Sequence, residues 1–173
     1  NHLNIHILEA SPEPEKAAVS ADRLVDLVPG SGHLVHMPSH IYIRLGRYLE
    51  GVESNERAVK TDEEYIAQCN VQGVYPLFYY PHNYHFLLAC AQMAGMSNKS
   101  AATAEALKKN IPVEIMNIPD FVTLQHWYAM PWYNMVRFGN WNEILQINEP
   151  VDSLKYVKSV WHYARGMAYA RTN

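Results

Sequence analysis

The stretch His33-Leu34-Val35-His36-Met37-Pro38-Ser39-His40-Ile41-Tyr42-Ile43-Arg44-Leu45-Gly46-Arg47-Tyr48 carries two patterns at once. Val35, Tyr42 and Leu45 make an apolar stripe, and His33, His36, His40 and Arg44 make a polar one on the opposite side, because residues three and four apart share a helix face. The spacing predicts a helix over 33–45 that Gly46 stops. Outward from it, apolar residues recur at the same spacings and strand-like alternation is short-lived. Helices are expected over about 1–11, 14–28, 33–45, 48–68, 82–95, 97–109, 121–138, 141–148 and 153–172. Turn residues separate them at Pro12/Pro14, Pro29-Gly30-Ser31-Gly32, Gly46, Gly95 and Gly139. The class is all-α.

The helices repeat. Leu8 and Tyr42, Ala17 and Gly51, Leu24 and Ala58, and Pro29 and Glu63 are each 34 residues apart. Aligning Gly95 and Gly139 on Gly46 gives offsets of 49 and 93 residues, so the later steps are 34 residues plus insertions of 15 and 10 in Asn70–Pro81 and around Asn110–Asp120.

With this period, Tyr42-Ile43-Arg44-Leu45-Gly46-Arg47-Tyr48 followed by Glu56-Arg57-Ala58-Val59 resembles the aromatic, glycine, aromatic and small-residue pattern of the tetratricopeptide-repeat (TPR) family, and Pro29 and Pro112 match its repeat-ending proline. Ser39, Leu88 and Trp132 depart from the family by standing where its first helix usually has glycine; Gly166 keeps it. The segments His2 to Ser11 and His33 to His40 further resemble a divergent bacterial subgroup of such proteins. The resemblance implies one domain, a right-handed α-solenoid of about four and a half hairpins at about 1–31, 32–65, 81–113, 121–150 and, in part, 153–173. It also implies that the first helix of each hairpin lines the concave side.

Composition narrows the function classes. The 173 residues are 49% hydrophobic and 12% aromatic, enough for a sizeable core. Fourteen Lys+Arg against seventeen Asp+Glu give a net charge of −3 with no basic block, which argues against a nucleic-acid partner. The most apolar stretch, around Phe86 to Met96, is short and contains Gln92, so no membrane span is expected. Cys69 and Cys90 fit neither a zinc spacing nor a disulfide framework and are read as reduced thiols; the cytoplasm is slightly favoured. The helical pattern starts at Leu3 and is still running at Trp161 to Asn173, so the sequence is expected to be part of a longer chain.

The histidines share the repeat register. His2 aligns with His36 and His6 with His40 at 34 residues; His33 aligns with His82 and His36 with His85 at 49; His126 aligns with His33 at 93. Eight of nine histidines thus occupy three repeat positions, and Arg44, Arg137 and Arg171 align in the same way. A groove formed by His33, His36, His40, Arg44, His82, His85, His126, Arg137 and Arg171 would offer donors to a peptide, a protein segment or a small anionic ligand. Such a groove should bind an anion more strongly as pH falls and its imidazoles gain charge. This binding module is the leading expectation, and it leans away from an enzyme.

The rival is a metal-binding or metal-dependent enzymatic domain centred on His2, His6, His36 and His40, with His33, His82, His85 and His126 extending the site. His2 and His6, like His36 and His40, are four residues apart, a spacing at which one helix can grip an ion. Helices packed roughly 8–10 Å apart would let both pairs meet at one metal, with Glu9 as an oxygen ligand. Such donors suit zinc, iron, copper or nickel. Alternatively the histidines form a hydrogen-bonded polar ladder, the arginines cap helix ends, and the chain is an assembly scaffold.

The aromatic insertion Val74-Tyr75-Pro76-Leu77-Phe78-Tyr79-Tyr80-Pro81 reads as a loop that mostly buries its rings, or as a rim to the groove. Trp127, Trp132, Trp141 and Trp161 read as core, His162 as structural, and Ser39 as a small packing residue. Glu53, Glu56, Asp62, Glu63 and Glu64 read as a solvated face, and no phosphate loop or nucleophile motif is present.

Overall fold

The computed structural model describes residues 1–172, and all regular structure among them is helical, as the periodicity requires. The chain divides into one compact unit over Asn1–Met96 and another from Ser97 onward. Among the described residues, no helix is long and apolar enough to cross a membrane.

The first unit contains α1 (His2–Glu9), a 3-10 turn (Pro14–Ala17) running into α2 (Ala18–Leu24), α3 (Gly32–His36), α4 (Pro38–Arg44), α5 (Tyr48–Cys69) and α6 (Tyr80–Met93). The helix expected over 33–45 is two segments. Pro38 has no N–H for the Leu34 carbonyl, so the ladder breaks there, while Met37 keeps helical angles and leaves α3 and α4 nearly continuous. The segment expected as a loop is also helical: Tyr75–Tyr79 form a π-helical turn leading into α6. That wider turn accommodates Pro81, which cannot donate to Leu77. Tyr80 is buried, Tyr75 and Phe78 are half-buried and Tyr79 is exposed.

Ile5, Ala17, Ala21, Leu24, Met37, Ile41 and Tyr42 form one core cluster, and Val52, Leu87, Cys90 and Ala91 another. Long α5 packs against α3, α4 and α6. It approaches α6 closely at Gly51, where a Cβ would lie 2.7 Å from the Cys90 sulfur. Tyr42 donates to Asp22 at 2.9 Å, and Arg47 lies over its ring and donates to the same carboxylate. Gly46 turns the chain between α4 and α5 with φ +74°, an angle that costs glycine little.

One acidic residue departs from the expected solvated face. Asp62 is fully buried, accepting from Tyr75 at 2.6 Å and Asn83 at 2.7 Å. It lies on the same α5 stripe as Val52, Asn55, Ala58 and Val59, so it turns inward with the apolar residues.

The second unit contains α7 (Ser97–Lys109), 3-10 turns at Val113–Ile115 and Pro119–Phe121, α8 (Leu124–Tyr128), α9 (Met130–Phe138), α10 (Trp141–Gln146) and α11 (Lys155–Thr172). The expected 121–138 helix is divided before Pro131, which sits in the first turn of α9. Leu107, Met116, Leu124, Ile144, Val157 and Ala164 fill this core. Trp132 joins them, whereas Trp127, Trp141 and Trp161 are half-buried.

Candidate functional site: a six-histidine cluster

Four short elements bring six imidazoles together in the first unit. His2 and His6 project from one side of α1, His33 and His36 from α3, His40 from α4 and His82 from α6. Their donor atoms form two sets, His2/His6/His33 and His36/His40/His82, and within each set the atoms lie within 4.8 Å of one another. The sets adjoin: the rings of His6 and His40 are 5.9 Å apart and those of His33 and His36 are 6.2 Å apart. The geometry thus keeps the α1 and α3/α4 pairs in separate sets rather than at a single four-histidine site, and gives each pair one of the rings expected to extend it, His33 or His82.

The inner set determines its own tautomers. Asn55 Nδ2 donates to the Gly51 carbonyl at 2.7 Å, which orients the amide and leaves Oδ1 as an acceptor. Oδ1 lies 2.7 Å from Nδ1 of His36, so this Nδ1 carries the proton. His36 is fully buried, and burial followed by the proximity of His40 and His82 holds its pKa well below the ordinary value. The ring is therefore neutral, with a lone pair on Nε2. In His40, Nδ1 donates to the Glu9 carboxylate. Burial lowers the His40 pKa despite the opposing pull of Glu9, which favours the neutral ring with its lone pair on Nε2. These two Nε2 atoms are 2.9 Å apart.

The outer set is more accessible. Nε2 of His2 lies 3.2 Å from Nε2 of His33 and 3.1 Å from Nε2 of His6. Burial, then repulsion from His2, His6 and His40, lowers His33 to about 4; burial also lowers His2. His82 falls to about 4, chiefly through burial and then the neighbouring His40 and His85. Nδ1 of His33 is buried without a hydrogen-bond partner.

Glu9 joins the sets. One oxygen accepts from His40, and the other lies 3.6 Å from Nδ1 of His6. Glu9 thus holds the His40 ring by its Nδ1 and faces the Nδ1 side of His6 from beyond hydrogen-bond distance, while both Nε2 atoms point into their sets. Glu9 is placed here as an orienting carboxylate.

Phe86 walls the inner set, its ring 4.8, 4.3 and 4.9 Å from those of His36, His40 and His82. Tyr79 meets His33 edge-on at 5.4 Å. Beside them, an open cavity of about 270 Å³ is bordered by Glu9, Ala10, His40, Ile43, Arg44 and Phe86. Arg44 is exposed, with its guanidinium 3.5 Å from the Ser11 carbonyl. The roomier cavity, about 540 Å³ near Lys108 and Tyr128, contains none of the six histidines.

The other expected groove residues are outside the two sets, although His85 is near enough to His82 to lower its pKa. His85 is half-buried on α6. His126 belongs to the second unit, its Nδ1 2.6 Å from the Tyr156 hydroxyl, and Arg137 and Arg171 are exposed there. Sequence reasoning missed Asn55 and Phe86, whereas Tyr79 belongs to the segment expected to bury its rings or rim the groove. Asn55 had a signal: it interrupts the apolar stripe of α5 with an amide, and a buried amide requires a partner.

Set against protein-family models, curated proteins and solved structures, this chain has no match in any of the three.

Proposed function

We propose that this protein binds a transition-metal ion through its clustered histidines. The observation that carries the reading is the pair of neutral imidazoles whose Nε2 atoms face each other at 2.9 Å with both Nδ1 protons already committed. Two lone pairs at that distance repel unless a proton or a metal cation lies between them. Metal–imidazole bonds of about 2.0–2.1 Å place neighbouring ligand nitrogens about 2.9–3.4 Å apart, a range that includes the 2.9, 3.1 and 3.2 Å separations here. The all-nitrogen donor set favours zinc, copper, iron or nickel over calcium or magnesium. The lowered pKa values keep the rings deprotonated at neutral pH, as ligation requires.

In this reading the scaffold is a TPR-like array, a right-handed α-solenoid whose first helices present the ligands. Its support is the 34-residue register shared by His2/His36 and His6/His40. The cavity beside His40 and Arg44 supports a second reading, a binding site for a small anionic ligand or acidic peptide end.

Elemental analysis of the purified, untagged protein before and after chelation tests the metal reading. Near-stoichiometric transition metal, with a fall in thermal stability on its removal, is expected. A protein that is metal-free and gains no stability from added zinc, copper, iron or nickel overturns it.

A further inference from the structure

Two sets of three nitrogens pose a question that a single metal site does not answer. Within each set the donor atoms lie within 4.8 Å of one another, whereas the six do not form one such group; the ring centres are evenly spread, 5.9 and 6.2 Å between sets and 6.4 Å between His6 and His33 of one set. One ion cannot engage all six at bonds of about 2.1 Å. Glu9 does not fill a coordination position in either set, because its oxygens face the Nδ1 sides of His6 and His40. It instead lies between one ligand of each set, hydrogen-bonded to His40 and 3.6 Å from His6, where it can bridge the two rings when metal binding draws them in.

Charge adds a second constraint. Neutral imidazoles do not offset a dication, and Glu9 is the carboxylate that touches the cluster. Two divalent ions with that one carboxylate leave roughly three uncompensated positive charges. Three protein ligands per ion leave coordination positions for exogenous donors. The cavity beside His40 is bordered by Phe86, which excludes water from one side, and by exposed Arg44, which adds positive charge at its edge.

Resting on the metal reading above, we propose that the six histidines form one two-ion centre, one ion per three-histidine set, coupled through the outer-sphere carboxylate of Glu9, and that a small anion entering beside Arg44 and Phe86 completes the coordination of the ion held by His36, His40 and His82. Candidate anions are small carboxylates or inorganic oxyanions, with azide as their probe.

Zinc titration of the metal-stripped full chain, with bound metal counted by elemental analysis, should give two ions per chain. His33→Gln and His82→Gln should each retain one, and the double variant none; circular dichroism checks that each remains helical. One ion in the unsubstituted protein, lost from either single variant, overturns the two-ion centre and leaves the metal reading standing. No ion in any form overturns both. In the copper(II)-loaded protein, magnetic coupling should weaken the paramagnetic resonance signal relative to two isolated ions, and either single variant should restore a full one-ion signal. An uncoupled two-ion signal in the unsubstituted protein overturns the coupling. Azide should then produce a charge-transfer absorption whose half-saturation rises about tenfold in Arg44→Ala. No azide band, or one with unchanged half-saturation in Arg44→Ala, overturns the anion site.

Discussion

Nε2 of His36 lies 2.9 Å from Nε2 of His40, four residues on, with the opposite nitrogen of each ring held by a different element. The Asn55 amide accepts from Nδ1 of the first ring and the Glu9 carboxylate from Nδ1 of the second. Helical spacing alone would put these rings side by side. Their orientation comes from α5 and α1, which supply the two acceptors.

Replacing Asn55 by Ala should therefore affect both folding and binding. The buried Nδ1 of His36 loses its 2.7 Å acceptor and keeps only the longer 3.3 Å contact with the Ser39 hydroxyl, costing about 1–3 kcal/mol, and the ring becomes freer to exchange tautomers. Urea denaturation and a competition titration with a chromophoric chelator should show a lower midpoint and a metal affinity reduced about 10–100-fold. Unchanged affinity would dissociate Asn55 from ligand orientation.

Glu9→Gln should weaken binding without a matching loss of apo stability. Glu9 is partly exposed, and the amide retains a carbonyl for one histidine while removing the charge. Metal affinity should fall about 10–100-fold, with a urea midpoint in chelator close to that of the unsubstituted protein. A complete loss of one ion would instead make Glu9 a direct ligand.

Acid should destabilise the metal-free protein. In the unfolded chain histidines ionise near 6.5, whereas His33 and His82 ionise near 4 in the fold. Between those values the unfolded chain binds more protons, so stability falls as pH falls. The contribution is fully present above about 6.5 and is lost progressively toward about 4. Urea midpoints in chelator should be lower at about pH 5 than at about pH 7.5; equal midpoints would contradict the buried, neutral rings.

Gly32→Ala should disturb the cluster from outside it. A Cβ there would lie 1.8 Å from Oδ1 of Asp62, which is held by Tyr75 and Asn83. The carboxylate must move, and a bond to Tyr75 or Asn83 is lost. A destabilisation of about 1–3 kcal/mol is expected, together with weaker binding at the set containing His33, the next residue. Calorimetric unfolding and zinc titration check both effects.

Much of this architecture was legible because it is local. The helices over 48–69, 97–109 and 155–172 follow from apolar spacing; the interruptions before Pro38 and Pro131, through which that spacing predicts unbroken helices, come from the missing N–H of proline, which apolar periodicity does not register. The aromatic segment before His82 was not legible as helix, since two prolines and a glycine look like loop punctuation and a π-helical turn has no simple sequence pattern. Asp62 looked like one more charge in an acidic run. Its place on the inward stripe of α5, facing Asn83, takes it out of that run.

The sequence by itself determined an all-helical chain and the alignment of His2 with His36 and His6 with His40 in a 34-residue register, because periodicity and register are properties of position along the chain. Only the tertiary structure decided that His33 joins His2 and His6, that His82 joins His36 and His40, and that Glu9 faces Nδ1 atoms from both sets. Which nitrogens converge depends on how α1, α3, α4 and α6 pack, and a shift of a few ångströms in that packing separates a ligand from a bystander.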